Sequence, residues 1–108
     1  MIDLAERHLE TIRRILGEHA AGCEVRAFGS RVSGTAKEYS DLDLAIIGEE
    51  KLPRRVKMLL REAFEESDLP FRVDIVDYNA ISDSFRSIID ERFEIVQTAK
   101  AGLRTHED

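Results

Sequence analysis

At 108 residues, 43% apolar and 35% charged, the chain has the balance of one soluble globular domain with little room for a second lobe. A net charge of −6 argues against a general nucleic-acid binder, and the single cysteine, Cys23, excludes an internal disulfide or a multi-cysteine zinc site. No apolar run approaches membrane-spanning length, and the start MIDLAERH lacks the apolar core of a signal peptide, so a cytoplasmic protein is expected.

In chain order, Leu4, Leu9, Ile12, Ile15 and Leu16 recur at helical spacing and predict an amphipathic helix over residues 3–20. Asp3 is its expected N-cap and Gly17 or Gly22 its stop. EVRAF (24–28) is β-prone and halts at Gly29. The small, polar residues 30–37 suit a tight turn and a short helix, and LDLAII (42–47) reads as a central strand with apolar residues on both faces. Pro53 opens a helix running to about residue 66, with Val56, Leu59, Leu60, Ala63 and Phe64 inward.

SDLP (67–70) breaks the chain before a third strand, FRVDIVDY (71–78). Ser82 or Asp83 caps a further helix with Phe85, Ile88 and Ile89 inward, and FEIVQTA (93–99) adds an edge strand. The tail from Ala101 has no pattern and is expected to fray. The expected fold class is α/β (α+β): one domain over residues 1–108, a small sheet flanked by helices.

Asp41 and Asp43 stand at the entrance of the apolar strand 42–47, two residues apart and so on one face, while Leu42, Leu44 and Ile46 take the other. Like charges held together at the edge of a core call for a cation, and a hard divalent ion accepts a few carboxylates completed by waters and phosphate oxygens. Asp74, between Val73 and Ile75, is equally hard to explain by packing. If its strand neighbours 42–47, three carboxylates converge on one or two metals, with Asp74 as a further ligand or a base. Upstream, Gly29 lets backbone approach a phosphate and Ser30 adds a hydroxyl. Arg31 offers a positive charge in that turn or else faces solvent. Asp77 has the opposite parity to Asp74 and is expected to cap the strand end. Tyr39 and Tyr78 are expected to be half-buried, Tyr78 with the option of lining a base pocket. Arg54, Arg55, Lys57 and Arg61 form the wet face of a helix, or a dock for an acidic partner.

Gly29-Ser30, ten residues, then Asp41-Leu42-Asp43 resembles the signature of the DNA polymerase beta-like nucleotidyltransferase superfamily. Within it, GSRVSG, YSDLDLAI and VDIVD resemble the minimal nucleotidyltransferases (the MNT family) of bacteria and archaea, over roughly residues 20–100. The resemblance implies the nucleotidyltransferase fold, a small mixed sheet flanked by helices. It also implies Mg²⁺-dependent transfer of a nucleoside monophosphate, here AMP from ATP, with release of pyrophosphate. Asp41 and Asp43 would be metal ligands, Asp74 the third catalytic carboxylate, and Gly29 and Ser30 the holders of the triphosphate. Many family members are encoded beside a HEPN-domain toxin, a small helical ribonuclease, and some neutralise it by attaching AMP to a tyrosine. Two other functions fit the same chain: a non-catalytic module that neutralises the toxin by binding, or a transferase acting on a small molecule or RNA.

Overall fold

In the computed structural model, which describes residues 2–37 and 39–99, four helices and four strands alternate along the chain. They are α1 (Glu6–His19), β1 (Glu24–Phe28), α2 (Ser30–Ser33), β2 (Leu42–Ile47), α3 (Arg54–Glu65), β3 (Val73–Asp77), a 3₁₀ turn (Tyr78–Ala80), α4 (Asp83–Glu91) and β4 (Glu94–Gln97). The expected fraying of residues 101–108 lies outside the described residues. No helix among the described residues is long and apolar enough to cross a membrane.

The strands form one sheet in the order β3-β2-β1-β4. β1 runs antiparallel to both β2 and β4, whereas β2 and β3 are parallel. A parallel pair needs a crossover, and α3 supplies it. The sheet is therefore mixed, a point the sequence pattern leaves open.

Period-two alternation divides the sheet faces. Val25 and Ala27 of β1, Leu42, Leu44 and Ile46 of β2, and Ile75 of β3 join Ile12, Ile15 and Leu16 of α1 and Leu60 and Phe64 of α3 in the main core. The opposite face carries Arg26, Phe28, Asp43, Ala45 and Asp74. There α4 packs more lightly, with Phe85 edge-on to Phe28 at 5.9 Å and Arg26 bonded to Asp90 at 2.7 Å. Asp43 and Asp74 lie on this second face, with Asp41 and Gly29 at its rim.

The pattern is corrected at several points. α1 starts at Glu6 rather than Asp3, because the Asp3 backbone is tied to Arg31: its N–H donates to the Arg31 carbonyl at 2.7 Å. Gly17 lies inside the helix, which ends at His19 with Ala20 as C-cap. Ile88 is 64% exposed, so α4 buries Ile89 but not Ile88. Tyr39 is also exposed, while Tyr78 is half-buried and donates to Asp90 at 2.7 Å. Asp77 does close its strand: its carboxylate accepts from Leu52 N–H at 2.8 Å and Asn79 N–H at 3.1 Å. That leaves a buried carboxylate with partners on both oxygens. Ser82 caps α4 as expected, accepting from Phe85 N–H.

Candidate active site

The register of β2 and β3 brings the carboxylates together. Asp43 is paired across the parallel ladder with Asp74, and both side chains leave the sheet on the face opposite Leu44 and Ile75. Asp41 immediately precedes β2 with the same parity. Arg72, just before β3, reaches back between them, with Nη2 3.0 Å from Asp41 Oδ2 and Nε 3.3 Å from Asp74 Oδ1. Burial pushes the Asp43 carboxyl above the ordinary aspartate value, with the charges of Asp74 and Asp41 adding to the rise and Arg72 opposing it. The site thus holds more negative charge than one exposed arginine offsets.

The donor set determines which metal fits. Among the described residues, no group of three or more His, Cys, Asp or Glu side chains is placed to hold a metal ion, so any cation here would rest on fewer carboxylates together with waters and phosphate oxygens. An open edge of carboxylates suits a hard cation that keeps waters and takes phosphate oxygens, as Mg²⁺ does. Zinc, which favours enclosed nitrogen and sulfur ligands, is a poor match.

Gly29 ends β1 directly across from this edge, since Phe28 pairs with Asp43. Its φ of +84° and ψ of −156° belong to a region that side chains exclude. A Cβ here would run into the Asp43 carboxylate. The glycine therefore serves a purpose beyond phosphate approach: it lets the Asp43 side chain lie against the end of β1. Ser30 opens α2 next to it.

Arg31 is not delivered to the turn as its sequence position suggests, nor does it face solvent. It is buried, donating from Nε to the Ser40 carbonyl at 3.0 Å and from Nη1 to the Asp3 carbonyl at 2.9 Å. Its guanidinium lies 4.3 Å from the centre of the Phe71 ring. The side chain fastens the segment just before Asp41 to the N-terminus and to the entry of β3, so its role is to position. Arg31→Ala is expected to lower unfolding stability by about 2–4 kcal/mol, from two charge-assisted hydrogen bonds and a cation–π contact. Urea denaturation of the variant beside the parent measures this.

One cation escapes the sequence reading. Arg92, at the C-cap of α4, lines a cavity of about 600 Å³ with Phe28, Gly29, Ser30, Ser33 and Thr35. Only the pairing of β4 with β1 brings it there, and no local motif marks it.

The nucleotidyltransferase domain family matches residues 9–99, nearly the whole described chain. The chain belongs to the nucleotidyltransferase domain family. The family match spans the Gly29-Ser30 turn, Asp41, Asp43 and Asp74. The chain is 47% identical over 96 residues to the probable protein adenylyltransferase MntA of Haemophilus influenzae, covering 89% of this chain and 84% of that protein. It is 37% identical over 75 residues to the protein adenylyltransferase MntA of Thermococcus cleftensis, covering 63% and 75% of the two chains. Among solved structures, a toxin–antitoxin complex with AMP-PNP superposes with a TM-score of 0.71 at 22% identity, over 85% of this chain and 74% of that one. A tri-AMPylated Shewanella oneidensis HEPN toxin in complex with its MNT antitoxin gives 0.66 at 17% identity, over 93% and 77%. These structural likenesses establish the shared fold, and the family is the one its motifs resemble.

Proposed function

We propose that the chain is a Mg²⁺-dependent protein adenylyltransferase that moves AMP from ATP to a hydroxyl, a tyrosine by analogy with the family, of a HEPN-domain toxin. In this reading it acts as that toxin's antitoxin in the cytoplasm. The observation that carries it is the register pairing of Asp43 with Asp74 beside the Gly29 turn. Two relatives named as protein adenylyltransferases, and like-folded antitoxins solved with HEPN toxin or AMP-PNP, point to the same donor and acceptor.

The residues divide the work by their place along the sheet. Asp41 and Asp43 would hold the cation, with Asp74 as further ligand or base. A Mg²⁺ held there would supply charge neutralisation at the phosphates and a lower pKa for the attacking hydroxyl. The Gly29-Ser30 turn, on the β1 side, holds the β- and γ-phosphates so that the α-phosphorus faces Asp74. Asp74 takes the acceptor proton as the acceptor oxygen bonds to phosphorus and pyrophosphate leaves. β3 is an edge strand, so the sheet ends at Asp74 on the side away from the Gly29 turn. An acceptor can therefore reach Asp74 without crossing the nucleotide.

The test is incubation with α-labelled ATP and Mg²⁺, alone and with the product of the neighbouring gene, expected to be a HEPN-domain toxin. Asp74→Asn runs alongside. Label should appear on the partner and fall by about 10²–10⁴-fold in the variant, the usual worth of a general base. A toxin neutralised equally well by the variant, with no label in any lane, would leave a binding module instead.

A further inference from the structure

We propose that Arg92 binds the terminal phosphate of the nucleotide and so makes the site prefer a triphosphate over a diphosphate. This rests on the nucleotidyltransferase reading above and names a residue that neither the motif nor its spacing marks.

The ends of adjacent strands place the polar groups in one line: Asp74 on β3, Asp43 on β2, then Gly29 at the end of β1. Ala27 pairs with Glu94, so continuing that antiparallel register brings Arg92 alongside Gly29. From β2 to β4 is two strand spacings, about 10 Å, a span that a triphosphate chain and one arginine side chain can cover between them.

The side chain also faces the turn. Arg92 Nη1 donates to the Ser33 carbonyl at 3.4 Å, a long bond that a phosphate oxygen can readily replace. The cavity of about 600 Å³ beneath it has the Gly29-Ser30 turn as one wall and the end of α4 as the other.

Charge completes the case. Arg31, the cation nearest the turn in sequence, is committed to the Ser40 and Asp3 carbonyls. Among the described residues Arg92 is the only basic side chain lining this cavity, and Glu91 the only acidic one. An α-phosphate held at the aspartates places the chain's far end, the γ-phosphate, at Arg92. A diphosphate stops short of it.

Binding of ATP and of ADP, each with Mg²⁺ and without acceptor, is measured by titration calorimetry for the parent, Arg92→Ala, Arg92→Lys, Glu91→Gln and the Asp41→Asn/Asp43→Asn double variant. Arg92→Ala should weaken ATP roughly tenfold or more, the scale of one charge-assisted hydrogen bond, and leave ADP unchanged. Arg92→Lys should restore part of the difference, and Glu91→Gln should tighten ATP. Equal losses for ATP and ADP, or shifts of the same sign for Arg92→Ala and Glu91→Gln, would overturn the assignment. A parent that binds Mg·ATP through Asp41 and Asp43, with an ATP-to-ADP ratio untouched by Arg92→Ala, sinks the Arg92 role alone. A parent whose binding is indifferent to those aspartates sinks the nucleotidyltransferase reading as well.

Discussion

Asp41→Asn combined with Asp43→Asn is expected to abolish label transfer while leaving a folded chain that, without metal, is more stable than the parent. Two effects compete. The substitution removes the contact of Arg72 with Asp41, but both groups are substantially exposed and such pairs contribute little. It also removes the repulsion that raises the Asp43 carboxyl, in a position partly withdrawn from water. Relief of repulsion should win.

The pH dependence has a definite sign. A carboxyl whose folded value lies above its unfolded one binds its proton more tightly in the native state, so the contribution of Asp43 to metal-free stability is largest at low pH. It declines as pH rises from the ordinary aspartate value, about 3.9, through the raised folded value of Asp43. The double variant should lack that decline. Above this window Mg²⁺ with ATP should raise the melting temperature of the parent by mass action and leave the variant unmoved. Transfer should drop by about 10³-fold or more, matching the several kcal/mol a catalytic metal supplies. Thermal unfolding across pH, with and without Mg·ATP, reads all of this. A variant less stable than the parent at neutral pH, or one still labelling its partner, would contradict the account.

How much of this site the sequence carries differs from residue to residue. Period two suffices to put Asp41 and Asp43 opposite Leu42, Leu44 and Ile46, and burial follows it, with those three apolar side chains in the core. Asp74 could be recognised as out of place in an apolar strand. Its partnership with Asp43 could not, because it depends on β2 and β3 lying side by side in parallel register through the α3 crossover.

Arg31 and Arg92 show the same limit from opposite directions. Arg31 sits inside the motif, where adjacency offers its charge to the turn or else to solvent, yet Asp3, Ser40 and Phe71 hold it elsewhere. Arg92 sits far from the motif, at a helix end with ordinary local features, and the sheet delivers it to the turn. Helical spacing puts Ile88 in the core, but it is exposed. α4 covers a sheet face already occupied by Arg26, Phe28 and Asp43, so the helix buries a narrow stripe and leaves Ile88 at the cavity rim.

Gly29→Ala should be the single neutral-to-neutral substitution with the largest effect on both stability and transfer. Its backbone angles, φ +84° and ψ −156°, cost a side-chain-bearing residue about 1–3 kcal/mol before any contact is considered. The added methyl also meets the Asp43 carboxylate, and that carboxylate is the group that must stay put for metal binding. Either β1 shifts or Asp43 turns away, and both outcomes disarm the site. The two costs can be separated. Asp43→Ala removes the obstructing carboxylate but keeps the Asp43 Cβ, which would stand at an ordinary 3.6 Å from the new methyl. Gly29→Ala in that background should therefore cost only the backbone strain, giving a coupling of about 0.5–3 kcal/mol in a double-mutant cycle. Chemical denaturation of the four proteins measures it. Equal costs in both backgrounds would mean that the glycine serves the turn alone. A positive coupling would tie the first element of the motif to its last, making Gly29 the residue that permits β1 and the metal-binding aspartate to share one edge.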